Sequence, residues 1–259
     1  MQIEPIGEAM SIPTVFKNGR TDRIHESKIG RNLAYVAGFY LVMVFLVPMA
    51  TEENSIPDLS GRANRIDYAT HDSWGNVQDS ARELGHNQSE NGGTFAWMDM
   101  NPISGMIYAI GDLNCHQKWE RSWEVNGNQM AVCTRDVGIL FGFTIFCLLW
   151  RFRGLNRWTV RDTFLSILPD NKIEKYYYND KRMLVMITIL TIGLLPMAVD
   201  GFTQLGTSYE STNQVRIITG TLAGFVVGWF FCASFCARPN KFEKTEQVKL
   251  PANAKLRID

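Results

Sequence analysis

Read for its apolar runs, this sequence predicts an all-α integral membrane protein. Four transmembrane helices are expected, with both termini inside, an outer interfacial helix and a long outer loop. Three observations carry that expectation. First, the uncharged stretches Leu33–Ala50, Met183–Val199 and Ile217–Ala237 have spanning length, since about 20 residues at about 1.5 Å each cross a hydrocarbon core of roughly 30 Å. Second, Val137–Trp150 is shorter but dense in Leu, Ile and Phe; it completes a span if Ala131–Asp136 is drawn into the interface. Third, nineteen of the 26 Lys and Arg residues fall in three segments, before the first run, between the second and third, and after the fourth. Basic residues beside spans stay cytoplasmic, so the three segments agree on one orientation. The zero net charge and mean hydropathy of −0.10 describe a soluble average and hide this segregation.

Taken in order, residues 1–32 form a cytoplasmic lead-in with an amphipathic turn at Ile24–Ile29. The start lacks a basic n-region, and Glu4 and Glu8 precede the first apolar run; the first span (33–50) is therefore expected to be a retained anchor. Residues 51–96, rich in Asn, Ser, Gly and Asp, read as a loosely ordered outer loop, because such a composition buries little apolar surface. It carries an acceptor sequon at Asn87-Gln88-Ser89. Residues 97–136 read as an outer interfacial subdomain. Within it, Pro102 starts a short helix, and Ile103, Ile107 and Ile110 recur at helical spacing; a helix lying on the outer interface and one buried within the outer subdomain both fit that period. The second span (137–151) leads into a cytoplasmic connection (152–182). There Trp158, Val160, Phe164, Leu165 and Leu168 lie among charges, the pattern of a helix on a membrane surface.

The third span (183–200) holds Pro196 near its outer end. An outer loop (201–216) follows, in which Ser211 and Gln214 fit a capping box for the last helix. The fourth span (217–237) carries Gly220, Gly224 and Gly228 at four-residue spacing. Such a stripe lets a second helix approach closely, within the chain or in an oligomer formed through this span. A polar, basic tail (238–259) ends the sequence. The basic segments read as topology signals, so nucleic acid is not an expected partner; the lipid bilayer of the plasma membrane is.

On this topology four separated segments reach one membrane face: 115–122, 133–136, 200–204 and 210–216. Cys115, His116, Cys133 and Asp136 have the donor types of a tetrahedral zinc site, although adjacent Cys115 and His116 would need an unusual backbone to bind one ion together. A Cys115–Cys133 disulfide is the favoured alternative on an oxidising face. It would close a loop of about 19 residues, worth roughly 3 kcal/mol in the chain-entropy model. Free thiols are the third possibility. Arg121, Arg135 and Arg216, with Gln204, offer donors to a lipid phosphate or another anionic ligand. Ion pairing with Asp136, Asp200 and Glu210 is the competing role, favoured for Asp136 and Asp200 because lone charges at membrane depth are costly. His116, Glu120 and Asp200 are the acid–base candidates. Cys147, Cys232 and Cys236 lie in predicted helices and read as core residues.

At these residues the chain resembles a family of predicted membrane proteins catalogued as a domain of unknown function. The resemblance runs through Cys115-His116-Gln117 and Glu120-Arg121-Ser122. It continues through Cys133-Thr134-Arg135-Asp136-Val137-Gly138, then Pro196-Met197-Ala198-Val199-Asp200-Gly201-Phe202-Thr203-Gln204, and ends with Glu210 to Gly220. It covers roughly 102–237 and implies no particular activity. The family pattern accepts Cys or Asp at position 136, which suits an anionic metal ligand. The expected function is a polar outer-face site for an anionic or lipid-derived ligand, with hydrolytic or transfer chemistry on it. A small oligomeric transporter or channel, and a structural or assembly subunit, are the alternatives.

Overall fold

The computed structural model describes residues 16–17, 23–64, 66–78, 84–242 and 247–254. Most of residues 1–22 of the lead-in, and residues 243–246 and 255–259 of the tail, lie outside these. Four long helices alternate in direction: α1 (Ile24–Ala50), α3 (Thr134–Arg153), α6 (Arg182–Gly206) and α7 (Asn213–Cys236). Each runs past the uncharged stretch that announced it, because backbone hydrogen bonds rather than apolarity set a helix end. By length and composition α1, α6 and α7 are long and apolar enough to cross a membrane. The helix α3 is not among them. Its uncharged core is short, and Arg135, Asp136, Arg151 and Arg153 occupy its ends.

The bundle is built around α3, which packs against α1 and α7. The glycine stripe of α7 is spent on this contact. A Cβ at Gly220 would overlap the Arg135 carbonyl and one at Gly224 the Ile139 carbonyl; at Gly228 the Phe143 carbonyl stands 3.1 Å away. Gly138 and Gly142 of α3 reciprocate against Ile217 and Thr221 of α7. The stripe that was open to an oligomer is thus covered by α3 within one chain, and an oligomer would need another face. From the other side Gly30 of α1 lies on the backbone of Cys147 and Arg151. Arg23 closes the far end of α3, donating to the Trp150, Arg151 and Gly154 carbonyls at 2.9–3.2 Å, where a cation also suits the helix dipole. The helix α6 rests on α7 and leaves Leu184, Ile187, Ile192, Leu195 and Val199 exposed.

Two apolar cores cap the bundle. Toward the C-terminal end of α3, the connection expected to lie on a membrane surface is folded inward instead. It forms α4 (Val160–Leu165) and α5 (Asp170–Tyr178). Phe164 and Leu165 are fully buried, and Trp229 of α7 stacks on Phe164 at 4.4 Å while donating its indole N–H to the Phe164 carbonyl at 2.7 Å. Several of the charges that suggested a surface are buried: Arg182 pairs with buried Asp162 (3.1 Å) and reaches half-buried Asp180 (2.7 Å), and buried Arg157 reaches outward to partly exposed Asp170 (2.7 Å). Strand β1 (Phe16–Lys17) pairs in parallel with the later strand Val248–Lys249.

At the other end, residues 51–96 also depart from expectation. Their described part is packed, with Ile56, Leu59, Tyr68 and Phe95 buried beside α2 (Pro102–Asn114). Polar side chains do the work that apolar ones could not. Asn76 bridges the backbone of Thr70 and Phe95, Gln88 bridges Ser60 and Asp58, and the Asp112 carboxylate accepts the Asp67 and Tyr68 amides and the Trp97 indole. A short hairpin, β2 (Glu124–Val125) and β3 (Asn128–Gln129), turns at Asn126-Gly127, both with positive φ. Its buried Asn128 donates to the Pro48 and Glu52 carbonyls at 3.0 and 2.9 Å, fastening this subdomain to the end of α1. The α2 helix buries Ile107, Tyr108 and Gly111 and exposes Ile103, Met106 and Leu113, as a helix lying along an apolar boundary would.

Candidate functional site

The site is assembled by backbone turns that polar side chains hold in place. Asn101 caps α2 by accepting the Ser104 amide, and Pro102 sits at its first position. At the other end Arg62 donates to the Asp112 and Leu113 carbonyls at 2.9 Å. The chain then extends through Cys115 and turns at Gln117, whose φ is 42°. Gln117 is buried; it donates to the Ala131 carbonyl at 3.0 Å and its own carbonyl accepts Gln129 at 3.1 Å. It is therefore a strut, and the turn it fixes sends Cys115 inward and His116 outward. Thr134, the first residue of α3, donates to Asn213 of α7 at 2.9 Å, and Asn213 donates to the Ser122 carbonyl at 3.4 Å. Three of the motif segments thereby meet.

His116, Arg121, Arg135 and Gln204 line a single cavity of about 400 Å³, walled on its other side by Met197, Ala198, Phe202 and Leu205 of α6. The charges around it are uneven. Arg135 pairs with buried Asp200, which also accepts the Tyr209 hydroxyl at 3.4 Å. Arg121 and Arg216 share Glu210, at 2.9 and 2.7 Å, and Arg216 also donates to the Ser211 carbonyl at 3.0 Å. Three guanidinium groups thus face two carboxylates. Two buried donors on the lining residues, Arg135 Nε and Gln204 Nε2, have no partner among the described residues. Partial burial and the positive charges of Arg62, Arg121 and Arg135 hold His116 below the usual histidine range, against the opposing pull of Asp136. For Glu210 burial works upward, but the hydrogen bond and charge of Arg121, with Arg216, prevail and lower its pKa.

Beside the cavity Cys115, Cys133 and Asp136 bring their ligand atoms within 4.8 Å of one another. Both cysteines are free thiols in this structure, so the expected disulfide is not formed. The Cys133 amide donates to Cys115 Sγ at 3.1 Å, and the Cys133 thiol to Asp136 at 3.4 Å. A thiol–thiol interaction in which Cys115 acts as donor, helped by the amides of Asp136 and Arg135 at the start of α3, lowers the Cys133 pKa; Cys115 is raised by that side-chain interaction and by burial. His116 does not join the group, because adjacent residues of an extended chain point to opposite sides.

Among the expected acid–base residues, His116 lines the cavity and Asp200 stands behind it, held by Arg135. Glu120 is exposed, 3.4 Å from Lys118, and is not among the lining residues. Arg216 is buried and acts through Glu210. Of the pairings expected for the aspartates, that of Asp200 is present, whereas Asp136 enters none of the described ion pairs. Arg62 was not foreseen from the sequence; it lies in a polar loop far from the motifs. The same holds for His71, whose ring bridges Thr94 (2.7 Å) and Asp99 (2.9 Å) at a second, solvent-exposed cavity of about 460 Å³. No periodicity or local spacing connects those three residues.

The uncharacterized protein MJ1492 of Methanocaldococcus jannaschii is 37% identical to this chain over 133 residues, covering 51% of this chain and 70% of that one. An uncharacterized protein of Methanothermobacter thermautotrophicus is 32% identical over 111 residues, 42% of this chain and 77% of that one. No solved structure matches. A family model described as predicted membrane protein (DUF2085) matches residues 115–230, from the first cysteine of the site to the last turns of α7. The residues that build the cavity and the glycine contacts of α7 fall inside that match, and the chain belongs to this family.

Proposed function

We propose that this protein spans the plasma membrane four times, both termini cytoplasmic, and binds a net-anionic lipid headgroup with a terminal phosphate in the cavity at the opposite face. The distribution of Lys and Arg supports the orientation. Enclosure of α3 by α1 and α7 supports the fourth span, since its polar ends lie at the two caps of the bundle. One observation carries the ligand. Two buried donors on the cavity lining, Arg135 Nε and Gln204 Nε2, lack acceptors among the described residues, and an unmet buried donor costs about 1–3 kcal/mol. An anionic oxygen that reaches either donor would remove that cost. The apolar wall from Met197 to Leu205 suits the attached acyl region. Glu120 stands apart and Asp200 is committed to Arg135, so the arrangement favours binding over hydrolysis.

The test is titration of the full chain, in nanodiscs of zwitterionic lipid, with a phosphatidic acid. Gln204→Leu is expected to weaken binding roughly tenfold, the effect of one hydrogen bond to a charged group, with an unchanged melting midpoint. Equal binding of zwitterionic and anionic lipids, or a silent Gln204→Leu, sinks this reading.

A further inference from the structure

We propose that Cys115, Cys133 and Asp136 bind one soft divalent cation of the zinc class, with His116 outside the coordination sphere. Two thiols and a carboxylate from two separate segments converge to within 4.8 Å. Tetrahedral ligands bound at about 2.0–2.3 Å sit roughly 3.3–3.8 Å apart, so small side-chain rotations complete the geometry. The donor set, two sulfurs and one oxygen, is that of zinc rather than of calcium or magnesium.

The position of Asp136 is the independent observation. As the third residue of α3 it is placed to accept the amide of the residue before the helix, in the manner of a capping box. That amide, of Cys133, goes to Cys115 Sγ instead, and Cys133 makes no side-chain cap. Asp136 also stays out of the ion pairs of Arg121, Arg135 and Arg216 with Glu210 and Asp200. Its described hydrogen bond comes from the Cys133 thiol. A carboxylate that neither caps its helix nor meets an arginine, while facing two sulfurs, is what a cation requires. The N–H group aimed at Cys115 Sγ is the kind of outer partner that steadies a metal-bound thiolate. Three protein ligands leave a fourth position for water or an exchangeable group.

The experiment uses the reduced full-length protein in detergent, stripped with a chelator and titrated with Zn²⁺ against a chromophoric competitor. Co²⁺ serves as the spectroscopic substitute. One ion per chain is expected, with a sulfur-to-cobalt charge-transfer band. Cys133→Ser should abolish tight binding. Asp136→Asn should weaken it by more than the roughly 10–100-fold that loss of an outer partner costs. His116→Ala should leave it unchanged. Helical circular dichroism of each variant separates lost binding from lost folding, and Asp136→Asn supplies the decision should the cysteine variant not fold. Failure of the reduced protein to bind, or dependence on His116 equal to that on Asp136, overturns the proposal. So does a Cys115–Cys133 linkage in protein alkylated before cell lysis.

Discussion

Gly224 of α7 lies directly on the backbone of Ile139 in α3, with no room for a Cβ beside the Ile139 carbonyl. Gly206, at the end of α6, has nothing within 4 Å of the same position. The two glycines therefore predict opposite outcomes. Gly224→Val should separate α3 from α7 and cost about 1–3 kcal/mol or more through overpacking, whereas Gly206→Ala should be neutral. Melting midpoints in one detergent decide it; equal shifts would mean that the helix contact is not tight.

Asp112 holds three donors that have no other described acceptor, the amides of Asp67 and Tyr68 and the Trp97 indole. Asp112→Ala should leave them unmet at about 1–3 kcal/mol each. Hydrogen exchange should then show protection lost between 67 and 97 while α3 and α7 stay protected. Uniform loss over the whole chain would show that the subdomain and the bundle unfold together.

Arg182 and Asp162 are both buried. Arg182→Met should destabilise by up to about 3–5 kcal/mol, because it leaves the buried Asp162 carboxylate with only Thr159 and, at 3.8 Å, Arg161 beside it. Adding Asp162→Leu should recover much of that loss. A double variant no more stable than the single one would indicate that the hydroxyl of Thr159, 2.7 Å from Asp162, matters more than the charge pair.

Glu210 gives a pH signature. Its pKa is lower in the folded chain than unfolded, so its contribution to stability is present above the ordinary glutamate value of about 4.3 and is lost as pH falls through the folded value. The acid limb of the stability profile should flatten in Glu210→Gln, with little change near neutrality beyond a constant offset. An unchanged acid limb would show that Arg121 and Arg216 do not hold this carboxylate.

The long helices were readable because their apolar residues are contiguous, and alternation of helix direction was enough to expect His116, Arg121, Arg135 and Gln204 at one face. What escaped notice has a common physical cause. Residues 51–96 look incapable of packing because their interior is organised by Asn76, Gln88 and the Asp112 carboxylate, and buried amides resemble surface amides in composition. The α4–α5 segment misled in the same way, since Arg157, Asp162 and Arg182 carry charge yet are buried. Separation of Cys115 from His116 was already implied by their adjacency, whereas the positive φ of Gln117 was not, because that residue type gives little warning of it. The Asn126-Gly127 pair, by contrast, was an available hairpin signal.

Enclosure of α3 also bears on how the protein is made. On the four-span reading, α3 emerges from the ribosome second among the spanning helices and is the one that lipid alone holds least well. Its main partner, α7, is the last of the four to be synthesised. Until α7 arrives, α3 must be kept at the membrane by α1 or by the insertion machinery. Damage to the glycine contact would then appear first in biogenesis, as a chain degraded before completion of its bundle.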